Sequence, residues 1–306
     1  MKKASLVKSL KKTISFWQLY VMMLPAVLYT ALFAYKPMYG VIIAFKDYSF
    51  RRGIWGSEWV GFENFTRLFA SYWFPIIVKN TFTLSLLSLF LGFPLAIILA
   101  LLLNEVRSSK FRNLVQTVSY APHFISTVVL CGMLMLFLNP TSGVINKMLN
   151  LLGMESVFFL QEAPLFKWVY EISGLWQGLG WSSIMYYAAL SGVDKSLLEA
   201  AEIDGATRLQ RIWHINIPTI LPTIVVTLIL KCGSLLSVGY EKAYLLQTNT
   251  NLAGSEIIST YVYKVGLVNS DFSFSTAVSL LNTVVNCTML IIVNTLSKKV
   301  TDSGLF

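Results

Sequence analysis

The sequence predicts an all-α integral membrane protein with about six transmembrane helices, and three features of its 306 residues carry that prediction. Mean hydropathy is +0.64. Charged residues make up only 13% of the chain, against about 25% in soluble domains, which must present polar surface to water. The charges are also unevenly spread. Long charge-free runs alternate with short basic stretches, as membrane topology signals do.

The runs cover 13–35, 80–104, 113–146, 172–193, 212–230 and 272–297. Each approaches or exceeds the about 20 residues that a helix needs to cross about 30 Å of hydrocarbon. They lack the alternation of barrel strands, and only helices or closed barrels satisfy the backbone in lipid. The first run is too long for a removable signal peptide and lacks a small-residue cleavage site, so Lys2, Lys3, Lys8, Lys11 and Lys12 before it act as an anchor. The third run reads as one span. In the fifth, Pro218 and Pro222 interrupt the start, so its bilayer portion is expected from about Pro218, past Lys231, to about Tyr240. The layout that follows is a basic tail over 1–12, a transmembrane domain over 13–297 with a cytoplasmic loop at 191–218, and a tail over 298–306.

Orientation comes from counting Lys and Arg. With the N-terminus inside, the cytoplasmic segments hold the five tail lysines, Arg107, Lys110, Arg112, Lys195, Arg208, Arg211, Lys298 and Lys299. The opposite segments hold Lys46, Arg51, Arg52, Arg67, Lys147, Lys242 and Lys264, so the balance is thirteen to seven and both termini are expected inside. Lys36, Lys79, Lys167 and Lys231 lie near span ends and can snorkel either way. Trp17, Trp55, Trp59, Trp73, Trp168 and Trp213 fall near the boundaries, as interfacial anchors do. Of the long outer segments, 46–75 and 139–166 carry aromatic and turn residues and are expected to fold as short interfacial helices and turns.

Several functions are disfavoured by what is missing. The net charge of +9 is not gathered on a basic helix with interleaved aromatics, so no nucleic-acid partner is expected. Cys131, Cys232 and Cys287 are far apart, with no CxxC or Cys/His spacing, and read as small buried hydrophobes rather than metal ligands. His123 and His214 are also far apart, so no catalytic or metal set is expected. His123, beside Pro122, reads as a packed interhelical donor. No GxxxxGK[ST] phosphate loop occurs, so the chain binds no ATP itself and is not expected to be an enzyme. The rival reading is an ion-coupled secondary transporter of a small polar solute. It would need ionisable groups inside the spans, and Lys231 is the only charged residue these boundaries place there.

The most informative stretch is the loop between the fourth and fifth runs. Ser196 followed by Glu199 is a capping-box spacing, and Gly205 supplies a left-handed stop, with Asp204 suited to the turn. A helix of about two turns, 197–204, is expected, then a second stretch from Ala206 into the fifth span. So short a helix is not stable alone in water and must dock. Ala200 and Ala201 offer a close-approach face, Leu197 and Leu198 apolar contact, and Glu199, Glu202 and Asp204 acidic charge for a basic partner. The same features would also serve a helix lying on the membrane or against its own bundle.

Glu199, Ala200, Ala201, Gly205, Ile215 and Pro218 stand at the spacings of the EAA loop, with Ile217 where leucine is usual. The segment thereby resembles that loop in membrane subunits of bacterial ABC importers. The stretches 35–48 and 59–65 are similar to carbohydrate-uptake permeases of the maltose-transporter type, closest to the polysaccharide and complex-glycan subgroup. The resemblance implies a bacterial plasma-membrane subunit that passes an oligosaccharide or glycan. It implies as partners a second homologous permease, two cytoplasmic ATPases that use ATP and Mg, and an extracellular or lipid-anchored solute-binding protein. Glu199, Ala200, Ala201, Asp204, Gly205 and Pro218 would then couple to the ATPase. Sugars are held by aromatic faces and neutral polar groups. Candidates for the path are therefore Trp176, Trp181, Tyr186, Tyr187, Tyr240, Tyr244, Asn282 and Asn286, although ordinary interhelical packing and hydrogen bonding is the more frequent role for any one of them. Glu171 and Glu241, near outer span ends, would meet the binding protein or water.

Overall fold

A computed structural model describes residues 16–301 and 304–305. The basic tail 1–12 and the first residues of the first run lie outside the described residues, as do Asp302, Ser303 and Phe306. The long helices are α1 (Trp17–Phe45), α3 (Trp73–Glu105), α9 (Arg208–Gly233) and α12 (Phe272–Thr301). Among the described residues these four are long and apolar enough to cross a membrane. α7 (Ala163–Leu190) is also long, at 28 residues, but Lys167, Glu171, Gln177 and several serines dilute its apolar character.

At one proline in each of three long helices the same device keeps the helix continuous. π-Turns at Ala31–Tyr35, Ser88–Gly92 and Ile212–Asn216 each end just before a proline, respectively Pro37, Pro94 and Pro218. Proline removes one backbone donor, and its ring clashes with the carbonyl four residues back. In each case that carbonyl lies inside the widened turn, which gives it room. The fifth span is therefore one helix from Arg208, running through Pro218. It stops at Gly233, where the chain turns, rather than continuing to Tyr240 as expected.

The third run is likewise corrected. It forms α4 (Ser109–Phe124) and α5 (Thr127–Phe137), bent by 97°. Pro122 opens a tight 3₁₀ turn, and Ser126 caps α5 by accepting from the Val129 N–H, so the elbow is built by local chemistry within a charge-free run.

The outer segments fold as short elements. Strands β1 (Lys46–Asp47) and β2 (Glu58–Trp59) pair antiparallel, and the buried Lys46 ammonium closes the loop between them by donating to the carbonyls of Ile54, Trp55 and Ser57. α2 (Glu63–Phe69) follows. Beyond α5, α6 (Val144–Leu151) is tied down by buried Asn146, which donates to Asn139 and Val157 carbonyls and accepts from the Val157 N–H. After α9 come α10 (Tyr240–Leu245) and α11 (Ile258–Tyr263).

α7 packs along the second half of α3, α9 packs along α12, and α12 also meets α2 and the end of α1. The core joining them includes Ala96, Ala100, Tyr186, Leu190, Val193 and Ile220. α4 and the elbow cross α7 at Gly180, where backbone meets backbone. Over Trp17–Tyr35, α1 buries no residue. Cys131 is buried and Cys232 half-buried, whereas Cys287 lies exposed on α12, against expectation; none is in a disulfide.

Candidate coupling helix and central cavity

Two features stand out: a protruding helix between α7 and α9, and a cavity between the helices with charged side chains on its wall.

The protruding helix is α8 (Lys195–Ile203). Its stop follows the sequence closely. Gly205 has φ +77°, its N–H donates to the Glu202 carbonyl, and the Ala206 N–H donates to the Ala201 carbonyl. Those two bonds make a Schellman ending, which favours glycine because the left-handed region carries no Cβ penalty there. Its start differs from the expected capping box. Asp194, not Ser196, is the N-cap, accepting from the Ser196 N–H at 2.9 Å. The capping box belongs instead to the next helix, between Thr207 and Gln210. Asp194→Ala is therefore expected to fray the first turn of α8, and Ser196→Ala to leave it intact, read by amide hydrogen exchange over the helix. The Ser196 N–H holds the Asp194 carboxyl below its ordinary pKa. That cap is complete above the ordinary carboxylate value and is lost as pH falls through the depressed one.

α8 is fastened at two points. Leu198 packs against the bundle core beside Val193, and Arg211 of α9 donates to Glu202 at 2.9 Å. Glu202 is thus already paired within the chain rather than open to a basic partner. The rest of α8 faces outward: it buries no residue, Leu197 is 55% exposed and Ile203 87%. Glu199 and Ala200 are exposed, Ala201 is half-buried, and Asp204 and Gly205 are exposed at the turn. Pro218 is exposed in α9, just past its π-turn. The helix thus turns an apolar and small-residue face outward.

The cavity, of about 550 Å³, lies between α3, α7, the end of α9 and the start of α10. Its wall includes Glu171, Gln177, Tyr186, Lys231 and Lys242. Glu171 is only 5% exposed, not at the outer surface as expected, because α7 begins at Ala163 and carries it well inside the helix. Lys242, 8% exposed, donates to the Tyr170 carbonyl at 2.6 Å and lies 4.5 Å from the Tyr170 ring centroid. Two glycines make the space. A Cβ at Gly174 would stand 3.2 Å from the Lys242 Nζ, and one at Gly92 would stand 3.9 Å from Glu171 Oε1.

Of the aromatic and amide candidates, only Tyr186 lines this cavity; its hydroxyl is 2.9 Å from Thr227 Oγ1. Trp176 lines a separate apolar groove between α5 and α7. Trp181 stacks on His123 at 4.3 Å, so His123 meets α7 by ring contact rather than as a donor. Tyr187 packs on the core. Tyr240 and Tyr244 form a three-ring cluster with Tyr263, outside the cavity wall. Asn286 joins α12 to the turn after α9, accepting from the Leu236 N–H and donating to Ser237 Oγ. Asn282 Oδ1 is buried with no hydrogen-bond partner among the described residues. Lys231 and Glu171 are noticeable in the sequence as charges beside apolar runs, but nothing there places Lys242 against residues 72 positions away.

Comparison with known proteins agrees with this architecture. The polygalacturonan/rhamnogalacturonan transport system permease protein YteP of Bacillus subtilis (strain 168) is 44% identical, covering 100% of this chain and 95% of that one. Protein LplB of the same organism is 42% identical over 94% of this chain and 91% of its own. A chain from the crystal structure of a bacterial alginate ABC transporter in complex with alginate pentasaccharide-bound periplasmic protein superposes with a TM-score of 0.89 at 41% identity, over 96% of this chain and 99% of that one. Residues 92–302, which include α8, α9 and most of the cavity wall, match the family model, and the chain belongs to the family of binding-protein-dependent transport system inner membrane components.

Proposed function

We propose that this chain forms one half of the membrane channel of an ATP-binding-cassette importer that admits an oligosaccharide or polysaccharide fragment. The observation that carries the reading is α8: an exposed helix, fixed to the bundle by Leu198 and Arg211, ending in a Schellman turn at Gly205. Relatives named as a polygalacturonan/rhamnogalacturonan permease and as part of an alginate transporter support the cargo class.

In this reading the chain crosses the bilayer six times, with α7 as the fourth crossing and the α4–α5 elbow as the third. Both termini and α8 lie in the cytoplasm of a bacterial cell. Two ATPase subunits, using ATP and Mg, clasp α8 and its counterpart on a second homologous permease. Glu199 is the polar anchor, Ala200 and Ala201 the close-contact surface, and Asp204 and Gly205 set the docking angle. Pro218 sits where α9 receives the motion. Closure of the ATPase pair moves α8 as a rigid unit, and the pairing of Glu202 with Arg211 passes that motion to α9. An extracellular or lipid-anchored solute-binding protein delivers the cargo. The uncovered face of α1 over Trp17–Tyr35 suits lipid or the second permease.

Purification from the membrane tests the assignment. The chain is expected to bring down an ATPase and a second permease, and uptake in proteoliposomes to need both ATP and the binding protein. Uptake driven by an ion gradient with no ATPase present would overturn it and restore the secondary-transporter reading.

A further inference from the structure

The cavity holds two lysines and one carboxylate, and neither lysine is neutralised by contact. Among the described residues, Lys242 forms no ion pair: its contacts are the Tyr170 carbonyl and ring. The exposed Lys231 lines the same wall, and its ammonium has no hydrogen-bond or ion-pair partner among the described residues. Glu171 is near enough to feel both charges, yet lies within ion-pair distance of neither. The sum is one positive charge in excess on the wall of a cavity between the helices, with Lys242 buried and Lys231 exposed.

Such an arrangement is costly unless something completes it. A buried ammonium such as that of Lys242 carries a desolvation penalty when it lacks a counter-charge, and ionisable groups in membrane bundles mark substrate pathways. Burial lowers the Lys242 pKa from its ordinary value to about 8, so the group still carries most of its charge at neutral pH. Gly174 leaves the ammonium its room, where a Cβ would crowd it at 3.2 Å. A volume of about 550 Å³ falls within the range of small-ligand sites. Tyr186 and Gln177 on the wall add an aromatic face and an amide, groups suited to a sugar ring and its hydroxyls.

We infer that this cavity is a station for a uronate residue on the import path, with Lys231 and Lys242 receiving the sugar carboxylate and Glu171 limiting how tightly it is held. The inference rests on the importer reading and narrows its cargo to acidic oligosaccharides. A carboxylate that repels the same anion at close range keeps a transport site weak enough to release what it binds.

The test is equilibrium binding to the purified importer complex in lipid nanodiscs, without the binding protein. The probes are trigalacturonate and its fully methyl-esterified form, which has the same backbone and no charge. Wild type is expected to bind the acid at least tenfold more tightly than the ester. Lys231→Gln should abolish that preference, and Glu171→Gln should strengthen binding of the acid severalfold. A gain from Glu171→Gln is a result that misfolding cannot imitate, which matters because Lys242 is buried and its variants can disturb packing. Equal affinity for acid and ester, no binding of either, or loss of binding in Glu171→Gln would each overturn the inference. Whether an ATPase co-purifies in the same preparation is read separately, so failure of the importer assignment is distinguishable from failure of the uronate site.

Discussion

Gly205→Pro is expected to abolish ATP-driven uptake while leaving the chain in the membrane. The substitution fails on two counts at one residue. Gly205 sits at φ +77°, whereas proline is locked near −65°, and the Gly205 N–H that proline lacks donates to the Glu202 carbonyl. The Schellman ending is lost with it, and the chain leaving α8 must take another direction. Nothing in the bundle core depends on that turn: Gly205 is exposed, and a Cβ there would meet no atom within 4 Å. Insertion and packing of the long helices are therefore expected to survive, and only the direction in which the chain leaves α8 is expected to change. Gly205→Ala separates conformation from bulk. It keeps the N–H and places a Cβ in open space, so its cost is the left-handed penalty alone, about 1–2 kcal/mol. It is expected to reduce uptake partially where proline removes it. Uptake in a permease-deficient strain, normalised to the membrane level of each variant, reads both. Normal transport by Gly205→Pro would sink the coupling role of α8.

Legibility in the sequence divided along a physical line. Features that depend on local backbone chemistry were open to reading. Gly205 as a left-handed stop, short elements in the outer segments, and helices across the charge-free runs all follow from neighbours in sequence. Features that depend on which of two local rules prevails were not. Ser196–Glu199 and Asp194–Ser196 both offer caps, and only the folded geometry shows that the aspartate takes the N–H. Hydropathy carries length but no direction, so a charge-free run hides the elbow at Pro122 and Ser126. Proline marks a break in a periodicity argument, yet at Pro37, Pro94 and Pro218 a π-turn carries the helix through. The cavity is the clearest case. Glu171, Lys231 and Lys242 come from three segments, and their meeting is a property of how α7 and α9 pack. Aromatic residues are weak guides to a path for the same reason. Tyr186 faces the cavity, while Trp176, ten residues away on the same helix, lines an apolar groove.

Gly180→Ala is expected to cost more folded protein than any other single-methyl change in α7. At this point the helix passes so close to α4 that a Cβ would stand 2.1 Å from the Ser119 carbonyl oxygen and 2.5 Å from its carbon. Those atoms are backbone, so no rotamer change can yield, and one helix must move by about an ångström or more to restore contact distance. Overpacking of this kind typically costs about 1–3 kcal/mol, a factor of 5–30 or more in the folded population. The displacement would also strain the elbow, because Gln177 donates to the Ile125 carbonyl at 2.8 Å and Trp181 stacks on His123, on either side of Gly180. Gly178 provides the control. It lies two residues away on the same helix with nothing within 4 Å of its Cβ position, and Gly178→Ala should leave the yield and melting temperature of the purified protein near wild type. If Gly180→Ala instead matches Gly178→Ala in both measurements, α4 and α7 do not cross at Gly180.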